Sequence, residues 1–146
     1  MLFRSAGRLD GRDYHVYCLL GDGEQDEGQV WEAAMAASHY RLANLTAIVD
    51  RNGVQNDGFV REIMSQEPLA DKWRAFGWKV QEVEGHDASR LAEALERAKG
   101  QLEGPSVIIA RTVKGKGVSF MENTYVWHGK APNSEERERA LAEIGE

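Results

Sequence analysis

The sequence predicts an α/β domain with a doubly wound, mostly parallel sheet and helices on both faces. Apolar runs typical of buried strands alternate along the chain with helical patterns, and this alternation favours parallel strands joined by crossover helices. The length of 146 residues predicts a single domain, 1–146, with enough chain for a hydrophobic core. The four expected strands are Tyr14–Leu20, Leu45–Asp50, Trp78–Val83 and Ser106–Ala110.

The segments between these strands carry the spacing of helices. Val30, Ala33, Ala34, Ala37 and Tyr40 recur every three or four residues and predict a helix over Glu27–Tyr40. Asp87 is the expected N-cap of a further helix, and Asn133 with Glu136 forms an expected capping pair. The other expected segments are helices at Pro68–Phe76 and Ser89–Leu102, the end of a helix at Ser5–Asp10, and loops at Asn52–Phe59 and Lys114–Gly117.

Composition excludes several classes of protein. The net charge of −6 argues against nucleic acid as a main partner, because phosphate binding requires clustered Lys and Arg. No stretch is apolar enough to span a bilayer, so the expected location is the cytoplasm. The single cysteine, Cys18, excludes an intrachain disulfide, and its place in an apolar strand predicts a buried core residue.

Polar residues follow the first two predicted strands where each strand ends. Gly21-Asp22-Gly23 ends the first strand, and Asn52-Gly53 follows the second. Open α/β sheets bind ligands at this edge, and a carboxylate with an amide oxygen suits Mg²⁺ or Ca²⁺ that itself holds a diphosphate. Glycine lets the backbone approach a diphosphate closely. Either motif taken singly is also a common turn former.

Longer motifs around these residues carry a family resemblance. The run Gly21–Gly28 (GDGEQDEG), the run Asp50–Gly53 with Asp57-Gly58, Gly85-His86-Asp87 and His128-Gly129 together resemble the thiamine-diphosphate-binding domain of transketolases. The resemblance extends from about Leu9 to about Pro132 and is greatest to the N-terminal subunit of split bacterial transketolases. In that family the domain extends further upstream, so the resemblance implies a partial thiamine-diphosphate- and Mg-binding domain over 1–146.

The resemblance also implies an activity, cofactors and partners. It implies a dimeric transferase of carbohydrate metabolism that uses thiamine diphosphate and Mg²⁺ to move a two-carbon ketol unit between sugar phosphates. The glutamate that activates the cofactor lies in the family on a separate pyrimidine-binding domain, so a C-terminal transketolase subunit is the expected partner. The chain alone is expected to be inactive.

Individual site residues are carried over by their place in the motifs. The resemblance implies metal ligation by Asp22, Asn52 and the carbonyl of Val54, and cofactor contacts from Gly21, Asp22, Gly23, Glu24, Asn52 and His128. It gives His128 a place at the reacting centre and Glu27 a place in a proton network at the subunit interface. Glu27 could instead only complement the dipole of the following helix, and a lone loop histidine is often incidental. His86 is interpreted as structural, and Glu24 and Asp26 as solvated.

Three alternatives stay open at this point. Deoxyxylulose-phosphate synthases and 2-oxo-acid dehydrogenases share the GDG and Asn elements, although the residues after Asn52 favour transketolase. A non-catalytic binding module would keep the fold without a complete site.

The small-residue run Ala33–Ser38 predicts a homo- or hetero-oligomer through the Glu27–Tyr40 face, unless these alanines pack on their own sheet.

Overall fold

A computed structural model describes residues 10–145 of the chain. Within them the strands are β1 (Val16–Gly21), β2 (Leu45–Arg51), β3 (Val54–Gln55), β4 (Gly58–Phe59), β5 (Lys79–Glu84) and β6 (Ser106–Arg111). The helices are α1 (Gly28–His39), α2 (Val60–Ile63), α3 (Leu69–Ala75), α4 (Ala88–Lys99) and α5 (Ser134–Ile144). Short 3₁₀ turns occupy Gly23–Asp26 and Tyr125–Trp127. The expected helix end at Ser5–Asp10 lies, except for Asp10, outside the described residues.

The main sheet has the strand order β1-β2-β6-β5, and every neighbouring pair in it is parallel. Its register pairs Gly21 with Asp50 across β1 and β2, and Asp50 with Ala110 across β2 and β6. Parallel pairing brings the carboxyl ends of all four strands to one edge. The predicted fold class is therefore confirmed, and the two polar motifs lie on adjacent strand ends.

The core lies on both faces of the sheet because the side chains of β6 alternate between them. Val107 and Ile109 belong to a cluster with α1 and α3, in which Trp73 is the largest fully buried side chain. Ile108 and Ala110 belong to a second cluster with α4. A central strand buried on both faces is typical of a doubly wound sheet.

The predicted caps agree with the structure. The Asp87 side chain accepts a hydrogen bond from the Arg90 amide at 3.0 Å and begins α4. Asn133 and Glu136 form a reciprocal capping box at the start of α5. The segment Asn52–Phe59, expected to be a loop, contains the antiparallel hairpin β3–β4. Two-residue strands are too short to show alternation in a sequence.

The first strand is less buried than its apolar sequence indicates. Cys18, predicted to be a core residue, is exposed, and Leu19 is 70% exposed. Within the described residues β1 is an edge strand with β2 as its only neighbour. The prediction of burial for Cys18 is therefore wrong, because an apolar run does not distinguish an edge strand from a central one.

The small-residue run of α1 packs partly on the sheet of its own chain. Ala34 and Ala37 are fully buried against the sheet of their own chain. Met35 and Tyr40, on the same segment, remain exposed. Among residues 10–145, no helix has the length and apolar character that crossing a membrane requires.

Candidate functional site

Asp22 lies directly after β1 and is 1% exposed. Its Oδ2 accepts a hydrogen bond from the backbone N–H of Gly53, and its Oδ1 accepts one from Nη1 of Arg51 at 3.0 Å. The residues joined by the Gly53 contact are 31 positions apart in the chain. The structure thus brings together Gly21-Asp22-Gly23 and Asn52-Gly53, as the parallel β1–β2 pairing requires.

Asn52 begins the turn that leads from β2 into the hairpin. Its side-chain Oδ1 accepts a hydrogen bond from the Val54 amide at 2.9 Å, and its Nδ2 donates to Asp50 at 3.2 Å. Gly53 has a φ of +74°, which a residue with a side chain rarely adopts. This local geometry fixes the Asn52 amide one residue before Gly53, whose backbone N–H reaches the buried carboxylate of Asp22.

The glycine turn leaves no room for a side chain. A Cβ on Gly23 would lie 2.8 Å from the Cβ of Gln55, closer than real Cβ contacts allow. The Glu24 carboxylate, expected to be solvated, folds back and accepts a hydrogen bond from the Gly21 amide. The Gly21 amide is therefore already occupied by a carboxylate oxygen of the same turn.

Buried amide groups surround this turn. Gln66 donates through Nε2 to the carbonyl of Asp22 at 2.7 Å and to Asp26 at 3.1 Å. Asp26, expected to be solvated, is therefore half-buried and hydrogen-bonded. Three buried amide atoms around this turn, within the described part of the chain, have no hydrogen-bond partner: Oε1 of Gln25, Nε2 of Gln55 and Oε1 of Gln66. Such groups are costly unless a ligand or water satisfies them.

Burial raises the pKa of Asp22 above its ordinary value of 3.8, because the charged carboxylate loses its hydration. The hydrogen bond from Gly53 and the charge of Arg51 act in the opposite direction. The pKa of Glu67 is lowered, first by the hydrogen bond from the Leu69 amide and then by Arg51. Arg51 thus stabilises the ionised form of both carboxylates.

Sequence reasoning missed the contacts of Arg51, Gln66 and Glu67 with this site. Arg51 stands inside the Asp50–Gly53 motif, and a basic residue between an acid and an amide at a strand end could have signalled a counter-ion. Gln66 and Glu67 lie in the irregular segment before α3, and no local pattern marks them. Their contacts arise because the chain returns to the same sheet edge.

His128 and Glu27 lie at the periphery of this arrangement. Both side chains are exposed, and within residues 10–145 no hydrogen bond joins either of them to Asp22 or Asn52. His128 follows the 3₁₀ turn at Tyr125–Trp127, where the Tyr125 ring packs edge-on against Phe59 of the hairpin, with ring centroids 6.0 Å apart. His86 accepts a hydrogen bond from the Val113 amide at 2.7 Å, which agrees with its structural interpretation.

A cavity of about 410 Å³ opens beside the Asn52-Gly53 motif. Its walls include Asn52, Gly53, Phe59 and Asn123. The cavity therefore lies between the end of β2, the hairpin and the segment after β6. It offers space for a ligand at the Asn52-Gly53 turn, and the Gly53 amide of that turn donates to the fully buried Asp22 carboxylate.

The donor set near Asp22 fits a hard divalent cation. Asp22 would supply one carboxylate, Asn52 an amide oxygen and Val54 a backbone carbonyl, and Mg²⁺ prefers oxygen ligands of this kind. Within the described residues no group of three His, Cys, Asp or Glu side chains could hold a metal ion. That finding is compatible with a set that uses only one carboxylate.

Comparison with known proteins supplies the family. The family model described as "Transketolase, thiamine diphosphate binding domain" matches residues 6–145. The chain belongs to the transketolase family. The transketolase of Campylobacter jejuni has a crystal structure that matches 97% of this chain with a TM-score of 0.88 and 32% identity, over 23% of its own length. The predicted recognition of a transketolase thiamine-diphosphate-binding domain is confirmed.

Relatives among curated transketolases include proteins named as subunits. An apulose-4-phosphate transketolase subunit of Phocaeicola vulgatus is 43% identical over 97% of this chain. The 6-deoxy-6-sulfo-D-fructose transketolase subunit SqwG of a Clostridium species is 45% identical over 95% of it. The chain spans 50% of the length of each of these two relatives. The human transketolase is 41% identical over 93% of this chain and 21% of its own length.

Proposed function

We propose that this transketolase-family chain holds Mg²⁺ and the diphosphate of thiamine diphosphate at the Asp22 edge of its sheet. The observation that carries the proposal is the buried Asp22 carboxylate, which accepts a hydrogen bond from Gly53, the residue that follows Asn52. Asp22, Asn52 and the Val54 carbonyl bind the metal. Gly21 and Gly23 let the backbone approach the diphosphate, and Glu24 and His128 complete the cofactor contacts.

The chemistry is a two-carbon ketol transfer between sugar phosphates, for which bound thiamine diphosphate supplies the carbanion. The residues of this chain bind and orient that cofactor. His128 holds or moves a proton near the reacting centre, and the exposed Glu27 carboxylate connects to a proton network across a subunit interface. Two relatives named as transketolase subunits support a partner subunit that binds the pyrimidine ring. We expect the assembly to be dimeric or larger and to reside in the cytoplasm.

The need for a partner can be tested by mixing subunits. The purified chain, with Mg²⁺ and thiamine diphosphate, is expected to give no ketol transfer from a ketose phosphate to an aldose phosphate. Addition of a C-terminal transketolase subunit is expected to produce turnover, measured by coupled assay. The same mixture made with Asp22→Asn serves as the inactive control.

Two outcomes would contradict the proposal in different ways. Turnover by the chain alone would show that no partner is required. Failure of thiamine diphosphate to bind in calorimetric titrations with Mg²⁺ and the partner would exclude the cofactor role and favour a non-catalytic module.

Acidification is expected to weaken metal binding at a higher pH than it would if the aspartate ligand had an ordinary pKa. A metal ligand must be deprotonated, and burial raises the pKa of Asp22 above 3.8. Protons therefore compete with the metal as the pH falls through the raised pKa. Acid has the opposite effect on the folding stability of the metal-free chain. Because the pKa of Asp22 is raised in the folded state, its protonation adds to the free energy of unfolding as the pH falls, and this contribution is complete below pH 3.8.

Mn²⁺ titrations followed by electron paramagnetic resonance measure this effect. They run from neutral pH down to about pH 4, where ordinary aspartates titrate. Far-UV circular dichroism at each pH controls for unfolding. A Mn²⁺ affinity that stays constant until the ordinary aspartate range would show that no metal ligand with a raised pKa is present, and would contradict this prediction for Asp22.

A further inference from the structure

Arg51 connects a buried carboxylate with an exposed one. Its Nη1 donates to Oδ1 of Asp22 at 3.0 Å, and its Nη2 forms an ion pair with Oε1 of Glu67. The side chain of Asp22 has no exposed surface, that of Arg51 is 21% exposed and that of Glu67 is 62% exposed. The guanidinium therefore spans from the interior of the site to its rim.

Glu67 is held in place independently of Arg51. Its second oxygen, Oε2, accepts a hydrogen bond from the Leu69 amide at 3.0 Å, at the first residue of α3. A guanidinium has donors enough to serve two carboxylates at once. Glu67 is thus a fixed second partner that remains available to Arg51 if its contact with Asp22 breaks.

Each oxygen of the Asp22 carboxylate already accepts one hydrogen bond. Arg51 engages Oδ1, and the Gly53 amide engages Oδ2. A divalent cation on the same buried carboxylate would stand close to the guanidinium, and like charges repel strongly where water cannot screen them. Without Arg51, however, the buried Asp22 charge would lack a counter-ion in the metal-free chain.

We propose that Arg51 is the resident counter-ion of Asp22 in the metal-free chain, and that it moves wholly to Glu67 when a divalent cation binds. The inference rests on the proposed metal role of Asp22. Arg51 is a positioning residue that protects the buried carboxylate and lowers metal affinity. Glu67 raises metal affinity, because it stabilises Arg51 in the position that leaves Asp22 free.

Mn²⁺ titrations of the full chain, with and without thiamine diphosphate, test this exchange by electron paramagnetic resonance of free Mn²⁺. Arg51→Met is expected to bind Mn²⁺ about tenfold more tightly than wild type, a size typical of coupling between linked groups. Glu67→Gln is expected to bind severalfold more weakly. The double variant is expected to match Arg51→Met, because Glu67 acts only through Arg51.

Matched controls remove the same charges elsewhere. Arg74→Met removes an exposed arginine that pairs with Asp71, and Glu62→Gln removes an exposed carboxylate that pairs with Arg61. Both are expected to leave the Mn²⁺ affinity unchanged. If these controls changed the Mn²⁺ affinity as much as the Arg51 and Glu67 variants do, the change in net charge alone would explain the results. The proposed exchange would then be wrong.

Thermal unfolding provides a readout that does not depend on metal affinity. Metal-free Arg51→Met is expected to melt below wild type, and saturating Mn²⁺ is expected to raise its Tm by more than that of wild type. Unchanged or weaker Mn²⁺ binding by Arg51→Met overturns the inference, as does a Glu67→Gln effect that persists in the double variant. If Arg51→Met fails to fold, unchanged Mn²⁺ binding by Glu67→Gln overturns it.

Asp22→Asn distinguishes a failure of the proposed metal role from a failure of the Arg51 exchange. If Asp22→Asn loses Mn²⁺ while Arg51→Met binds as wild type, the metal role stands and the exchange is wrong. If Asp22→Asn binds Mn²⁺ as wild type does, the proposed metal role fails and the exchange fails with it.

Discussion

Asp22→Asn is expected to abolish Mg²⁺-dependent binding of thiamine diphosphate. The change removes the charged oxygen ligand of the proposed set while keeping the size of the side chain. Substitution of residues that merely support a metal ligand costs about 10–100-fold in affinity, so the loss of the ligand itself should exceed roughly a hundredfold. The measurement is calorimetric titration of thiamine diphosphate in excess Mg²⁺.

The fold of Asp22→Asn is expected to survive with reduced stability. Its amide oxygen can still accept from Arg51 or Gly53, but its amide nitrogen then faces the other donor, at a cost of about 1–3 kcal/mol for an unsatisfied buried group. Asn52→Ala is a less clean test, because Asn52 also accepts from the Val54 amide and supports the turn.

An exposed aspartate provides the control. Asp71→Asn, on α3, removes the same charge from the surface and should bind the cofactor as wild type does. Equal affinity of Asp22→Asn and wild type in excess Mg²⁺ would show that the buried carboxylate serves only the fold.

Trp73→Ala is expected to destabilise the chain more than any other single truncation in its core. Trp73 is 1% exposed and packs between Trp31 and Trp78, with ring centroids 5.2 and 4.8 Å away. Truncation of a buried tryptophan to alanine costs about 3–5 kcal/mol. Because domains are stable by only about 5–15 kcal/mol, a large part of the folding free energy would be lost.

Two further variants make this measurement specific. The indole N–H of Trp73 is buried without a hydrogen-bond partner among the described residues, so Trp73→Phe removes volume but no hydrogen bond and should cost clearly less than Trp73→Ala. Trp127→Ala removes a half-buried ring that packs on Phe120, outside both core clusters, and should also cost less. Urea unfolding measures all three, and a loss below about 1 kcal/mol for Trp73→Ala would be too small for a filled core site.

Much of the fold followed from local patterns. The alternation of apolar strands with helical spacing predicted the parallel sheet, and the capping roles of Asp87 and Asn133 were predicted from side chains that bond to nearby amides. Local patterns failed where neighbours in space decide burial. Cys18 lies in an apolar run, yet it is exposed because β1 has a strand on one side only within the described residues.

For the site, the sequence alone determined that Asp22 and Asn52 follow adjacent strands, because strand ends are marked by glycine and by the end of an apolar run. The tertiary structure alone decided which groups surround Asp22. Arg51 and Gln66 come to it along different stretches of chain, and Glu67 reaches Arg51. A hydrogen bond between distant residues leaves no periodic trace in a sequence. Burial and counter-charge, which govern the pKa of Asp22, therefore depend on the packed fold.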